Sequence, residues 1–323
     1  MKGLTGGRLR TVTTAGMAAK LSHPAERRRI ARGVARVRET DMRLLSLESR
    51  LKRRYRAAYC RSSILLARIS GHSSFDFFER EVRGDIGRLR RITVLTERDV
   101  IYIPVPKNAN SKTRRILSEV RAVRNPFRPF GKRRFRKPLT AADISIRRFY
   151  RLLNSPNRLS FAIVRNPYRR TVSAWANKFR GRPLVSNPMF QRQAPELNTY
   201  LRLRESIDPS LPVGVDSTLG FDQFLDYVSA IIGKQEDPHI ETQSSFLDIP
   251  FVPINHLVRL ESYCRDMLPV LDHINAPESV AARLGEKSNP SGLTEEGYAL
   301  TPAQRRKIET LYADDIANFG YDG

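Results

Sequence analysis

Short continuous apolar runs alternate along the chain with longer stretches whose apolar residues return every three or four positions. The runs Val100–Val105, Leu159–Val164 and Ile254–Leu260 predict buried strands, and each leads into a stretch of helical spacing. The helices predicted after them end near Val120, Phe179 and His273. The second opens at Pro167, where a missing N–H costs little, and the third at Glu261. Further helices are predicted around Ser74–Val82, over Asp143–Leu153 with Thr140 as N-cap, over Phe221–Ile232, and from Pro302 to about Phe319 behind a Thr301 cap. Strands alternating with helices predict an α/β fold with a central, mainly parallel sheet covered on both faces. The ligand of such a sheet sits beyond the carboxyl ends of its strands.

N-terminal to this pattern, residues 24–60 read as one long basic helix in which Ile30, Val37, Leu44, Leu51 and Ala58 recur every seventh position. The companion positions Gly33, Thr40, Leu47 and Arg54 are mostly not apolar, so a self-sufficient coiled coil is not predicted. Two readings remain for this arm: a surface helix laid on the α/β domain, or a basic amphipathic helix on an anionic membrane surface. The chain is therefore expected to divide into a basic tail and helical arm, 1–90, and an α/β domain, 91–323. Two loops stand out inside the domain. Residues 121–138 hold eight Lys or Arg, three Pro and no acid, and are either a solvated basic loop or the edge of a groove facing an anionic ligand. Residues 181–220, rich in Pro, Gly, Ser and Asn, form the expected variable, substrate-facing insertion.

Composition sharpens this outline. The 323 residues carry a formal net charge of +24, with 57 Lys and Arg against 33 Asp and Glu. Such a balance calls for an anionic partner: a nucleotide, a sulfated or phosphorylated glycan, nucleic acid or a membrane surface. Only two cysteines occur, Cys60 and Cys264, so no disulfide framework is indicated and a reducing compartment is expected. No run approaches the ~18 apolar residues of a membrane span. The first 25 residues lack the apolar centre of a secretory signal and read as a disordered basic tail, with a loose likeness to an organelle transit peptide as the alternative. The expected location is the cytoplasm, with peripheral contact to an anionic membrane as the alternative.

Candidate chemistry concentrates where two of the strands hand over to helices. The first stretch is Val105-Pro106-Lys107-Asn108-Ala109-Asn110-Ser111-Lys112-Thr113; the second is Val164-Arg165-Asn166-Pro167-Tyr168-Arg169-Arg170-Thr171-Val172-Ser173. Each sets Lys or Arg and hydroxyl side chains at a helix N-terminus, where unpaired N–H groups and the helix dipole favour an anion. Two such sites in one chain point to a ligand with two anionic groups, such as a nucleotide with phosphates at both ends of its ribose.

This pair of stretches resembles the two signatures of sulfotransferases that use PAPS (3′-phosphoadenosine 5′-phosphosulfate), in particular the carbohydrate-acting, family 2 type. Pro106, Lys107, Ala109 and Ser111 fall on the family's Pro-Lys-x-Ala/Gly-x-Ser/Thr loop. Arg165, Pro167, Arg170 and Ser173 fall on its Arg-x-Pro-x-x-Arg-x-x-Ser motif without a gap. Arg259-Leu260-Glu261 and the closing stretch Leu311 to Tyr321 are similar to later parts of the family, so the resemblance runs from about residue 98 to 322. It implies a P-loop-like three-layer fold, PAPS as donor, no metal, and a carbohydrate or glycolipid acceptor rather than a specific nucleic acid. It also implies that Lys107, Asn108, Ala109, Asn110, Ser111, Lys112 and Thr113 cradle the 5′-phosphosulfate while Arg165 and Ser173 hold the 3′-phosphate. Many animal relatives carry a membrane anchor, and this chain departs from that plan.

Sulfuryl transfer resembles phosphoryl transfer in being mostly positioning and charge stabilisation. Lys107 suits the leaving phosphate because an ammonium is a compact charge. Arg165 offers a planar fork for phosphate oxygens. Arg170 either joins it or pairs with an acid such as Glu261. The general base is less marked. Relatives often have a His in a His-x-Thr-Ala context, where this chain has Pro138-Leu139-Thr140-Ala141. Among the five histidines His239, in Asp237-Pro238-His239-Ile240-Glu241-Thr242-Gln243, is the substitute, with Glu241 behind it; His256 and His273 read as packing or surface residues. A structural role for His239 stays open. The chain has no Gly-x-x-x-x-Gly-Lys-Ser/Thr loop, no Cys/His spacing for zinc and no Gly-x-Ser-x-Gly elbow. The rival readings are a basic protein binding nucleic acid non-specifically and a catalytically inactive nucleotide-binding relative.

Overall fold

The computed structural model of the chain describes residues 55, 58–120, 138–180, 220–235, 237–285 and 298–321. The predicted arm helix, the basic loop 121–137 and most of the insertion after residue 180 lie outside the described residues. The chain divides into two compact units, Met1–Ala58 and Tyr59–Gly323, of which the second contains both basic stretches.

The sheet of this second unit has five strands among the described residues: β1 (Thr93–Leu95), β2 (Val100–Ile103), β3 (Leu139–Thr140), β4 (Leu159–Val164) and β5 (His256–Arg259), in the order β3-β1-β2-β4-β5. β4 is parallel to both β2 and β5, with Tyr102 opposite Phe161 and Ile163 opposite Val258. β1 is antiparallel to β2 and to β3, so it alone runs against the other four. The helices that bear on the site are α1 (Ser73–Arg80), α2 (Asn110–Val120), α3 (Ile146–Leu153), α4 (Pro167–Lys178), α5 (Phe221–Ile231), α6 (Gln243–Leu247), α7 (Pro302–Leu311) and α8 (Ala313–Phe319), with further short helices such as Ile86–Arg90 and Leu268–His273 between them.

Strand alternation explains why both faces are covered. Ile101, Ile103 and Ala162 join one apolar cluster, while Val100, Tyr102, Phe161 and Ile163 join another. The first is capped by α3, by α1 and by helical residues 59–69; the buried side chains of Cys60, Ala67, Phe78 and Leu89 all belong to it. Packing of this unit therefore reaches back to Cys60, before the expected boundary at residue 90. The second cluster takes Ile116 and Leu117 of α2 together with Tyr263, Met267 and Val270. A third, aromatic cluster joins Trp175 and Phe179 of α4 to Phe221, Phe224 and Tyr227.

Two strands are added to the expected ones, β1 and β3, both too short to leave a periodic signal in sequence, and two expectations are corrected. The helix expected from Asp143 begins at Ile146 behind a Ser145 cap, because Thr140 caps the 3-10 turn Ala141–Asp143 and Asp143 accepts a bond from the Thr140 N–H. The single closing helix is two helices broken at Tyr312, whose hydroxyl donates to the Ile240 carbonyl at 2.7 Å.

Candidate functional site

β2 and β4 are adjacent and parallel, so the chain leaves both at the same edge of the sheet. The turn after β2 closes without glycine. Lys107 (φ 71°) and Ala109 (φ 51°) both adopt the left-handed region, at a cost on the order of 1–3 kcal/mol each. Asn108 between them is fully buried, and its amide donates to the Ile163 carbonyl (2.7 Å) and to Gln243 Oε1 (2.6 Å). The strained turn is thereby fastened to the last residues of β4.

The turn after β4 reaches back. Arg165 Nη1 donates to the Lys107 carbonyl at 3.1 Å, and Arg170 Nε donates to the Pro106 carbonyl at 3.4 Å. Two of the three arginines of the second stretch thus hold the backbone of the first. Asn166 caps α4 by accepting from the Tyr168 and Arg169 N–H groups, and its own N–H donates to Glu261 Oε1 at 2.8 Å. Glu261 also accepts from the Tyr321 hydroxyl, so the expected alternative, an Arg170–Glu261 pair, is not what forms. The Glu261 carboxylate organises the turn, and Arg170 is surrounded by other acids.

One buried side chain that sequence reasoning missed joins everything. Gln243 opens α6; its Oε1 accepts from the Arg165 N–H (2.9 Å) as well as from Asn108, and its Nε2 donates to the Arg165 carbonyl (2.8 Å). The Gln243 and Ser244 N–H groups are in turn held at 2.8 Å each by the carboxylate of Asp315, which is fully buried in α8. Nothing local marks Gln243 in sequence: it follows Thr242, an ordinary helix cap, and its partners lie far away along the chain. Its segment draws notice only for His239.

The electrostatics are those of a cation-rich, partly dry pocket. Arg165 is 5% exposed, and burial pushes its guanidinium down to about 10; Glu261 opposes this, while Arg170 and Arg169 reinforce it. Arg170, at 2% exposure, is pushed down too, mainly by burial, with Tyr312, Asp315, Asp237 and Glu241 pulling the other way. No carboxylate forms an ion pair with Arg170 among the described residues, and its Nη2 has no hydrogen-bond partner. Arg165 stays charged at neutral pH, and a guanidinium lowered from 12.5 to about 10 costs the fold on the order of 3 kcal/mol.

The remaining expected residues divide. Asn110 heads α2 with a buried Oδ1 that has no partner, and Ser111 is exposed in its first turn. Lys107 is half-buried in the turn itself. Lys112 instead donates to the Leu284 carbonyl and lies 4.7 Å over the Tyr263 ring. Thr113 is fully buried against the Ala109 carbonyl and the Tyr263 hydroxyl, so both side chains bond within the protein. Ser173 sits half-buried one turn beyond Arg170. His239 Nδ1 lies 2.9 Å from Asp237 Oδ1, which also accepts the His239 N–H. A carboxylate on Nδ1 places the ring proton there and leaves Nε2 as the basic nitrogen. Asp237 is among the acids that oppose the lowering of Arg170, whose Nε holds the Pro106 carbonyl. Glu241 is occupied, accepting from the Gly233 and Gln235 N–H groups. His256 and His273 bond the Asp266 and Arg98 carbonyls. Among the described residues no group of three or more His, Cys, Asp or Glu is placed to hold a metal ion.

Residues 90–322 match the model of the family described as the sulfotransferase family. No curated protein and no solved structure matches the chain. The family match covers well over half of the sequence and contains both basic turns, now seen locked against one another: the chain belongs to the sulfotransferase family.

Proposed function

We propose that this sulfotransferase takes PAPS as donor and a hydroxyl of a carbohydrate or glycolipid as acceptor. The contact between the two basic turns, Arg165 Nη1 on the Lys107 carbonyl, is the observation that carries the reading. It holds two anion-binding helix N-termini side by side at the carboxyl edge of the sheet, a spacing suited to one doubly charged nucleotide. The residues fit such a group: buried guanidinium charge without an ion pair at Arg170, a half-buried ammonium, and the first-turn N–H groups of α2. When bound, PAPS supplies a sulfuryl group whose bond to the phosphate oxygen breaks as a bond to the acceptor oxygen forms. Lys107 neutralises the charge that develops on the departing phosphate. Arg165 and Ser173 hold the 3′-phosphate, Arg165 through its planar fork. His239 Nε2 takes the acceptor proton, with Asp237 fixing the ring's tautomer and orientation.

Thermal unfolding with adenosine 3′,5′-bisphosphate tests the donor. A ligand at a hundred times its Kd adds about 2.7 kcal/mol to stability, enough to raise Tm by several degrees. Arg165→Ala is expected to abolish most of that rise, and no rise at millimolar ligand in the wild type would sink the donor assignment. Transfer of a radiolabelled sulfuryl group across a glycan panel separates an active enzyme from a nucleotide-binding relative without activity.

A further inference from the structure

At the opposite end of the sheet from these turns lies a second basic cleft of 660 Å³. It opens beside Asp99, which precedes β2, and Ser155, which precedes β4. The six residues of β4 at about 3.3 Å each separate it from Arg165 by about 20 Å, so one small ligand cannot span both.

Its lining is rich in donor side chains: Arg147, Arg148 and Arg151 come from α3, joined by Tyr150 and by His72 at the start of α1. Arg148 and Arg151 are exposed and make no side-chain hydrogen bond or ion pair among the described residues. Arg147 bonds Ser70 Oγ through Nη2, while its Nε is buried without a partner. His72 Nδ1 accepts the Ser74 N–H at 3.1 Å, which leaves its Nε2 as the N–H donor of a neutral ring. The cleft's one carboxylate, Asp99, is taken by the Ser155 hydroxyl at 2.9 Å. Three guanidinium groups and two neutral donors thus face one carboxylate already in use. No pairing among the described residues accounts for that surplus, and a tetrahedral oxyanion, with several acceptors and negative charge, supplies what they lack.

We propose that this cleft is a second anion-binding site, taking the sulfate or phosphate ester of a soluble ligand independently of the donor pocket. Its occupant is recognised by the charged ester and not by a nucleobase, since the Tyr150 ring is already packed edge-on against His72 and tilted against Phe77.

Isothermal titration tests it, with the donor pocket first saturated by adenosine 3′,5′-bisphosphate. The probes are a heparin-derived hexasaccharide, its desulfated counterpart and inorganic phosphate. Arg148→Ala/Arg151→Ala removes two exposed side chains with no bonds of their own and is expected to weaken the binding of a charged probe by about tenfold or more. The Tm rise from adenosine 3′,5′-bisphosphate should be unchanged in the same variant, so a failed donor assignment and a failed cleft give different results. Loss for the hexasaccharide names a sulfated glycan as the source, and loss for phosphate alone names a free anion. Equal weakening by Lys234→Ala/Arg306→Ala, two exposed residues outside the cleft, would reduce the effect to net charge and overturn the proposal. So would wild-type protein that binds neither charged probe.

Discussion

Gln243 carries no charge and exposes no surface, yet three of its hydrogen bonds reach Asn108 and Arg165. Gln243→Ala orphans the Arg165 N–H and carbonyl inside a dry site, while the Asn108 amide keeps its bond to the Ile163 carbonyl. Each orphan costs about 1–3 kcal/mol, so urea denaturation is expected to show a loss of about 2–5 kcal/mol together with weaker nucleotide binding. Lys107→Ala is expected to act differently. Its backbone carbonyl, which Arg165 grips, survives the substitution, so the Tm rise from adenosine 3′,5′-bisphosphate should persist while turnover falls by about a hundredfold or more. Parallel loss of binding and turnover would mean that Lys107 only anchors the nucleotide. His239→Asn keeps a polar group beside Asp237 but removes the basic nitrogen. Binding should again survive and turnover fall by about 10²–10⁴-fold. Unchanged turnover would return His239 to a structural role. These residues differ in legibility. Lys107, Arg165 and Arg170 announce themselves by charge at strand ends, whereas Gln243 and Asp315 are marked only by what folds against them.

At the scale of elements, the strands β2 and β4 and the helices α2, α4 and α5 are written in local sequence, because each carries a full apolar face or a full apolar run. Thr301 illustrates how sharply an end can be encoded: its Oγ1 accepts the Gln304 N–H and Gln304 Oε1 accepts the Thr301 N–H, with Pro302 in the first turn. Thr301→Ala should cost about 1 kcal/mol in urea denaturation; α7 packs against the aromatic cluster and, through Glu309, holds the Tyr168 hydroxyl of the second basic stretch at 2.8 Å. The break between α7 and α8 is the opposite case. Helical periodicity runs straight through Tyr312, and only the hydrogen bond from its hydroxyl to Ile240 shows why the chain turns there. That turn is what brings Asp315 under α6.

Over the whole molecule, burial of acidic protons sets the response to alkali. The Cys60 thiol is pushed up to about 11 and the Tyr263 and Tyr312 phenols to about 12, in each case first by burial. Groups that hold their protons longer when folded stabilise the fold below their unfolded values of 9 and 10 and withdraw that support as pH rises toward 11–12. Arg165, lowered to about 10, and Arg170, lowered as well, work in the other direction but are outnumbered, since burial also raises the Tyr102, Tyr168 and Tyr321 phenols. Unfolding free energy from urea titration should therefore fall steadily above pH about 9; a rise between pH 9 and 11 would show that these groups are not dry. Sequence alone determined the α/β alternation, the sulfotransferase signatures and the positive charges at two strand ends, since periodicity, cap chemistry and charge act between near neighbours in the chain. Tertiary structure alone decided that the second motif grips the backbone of the first, that Lys112 and Thr113 turn inward, and that a surplus of arginines gathers at the far end of the sheet. Those outcomes depend on which distant side chains share one buried volume, and hydrogen-bond satisfaction across that volume leaves no trace at any single position.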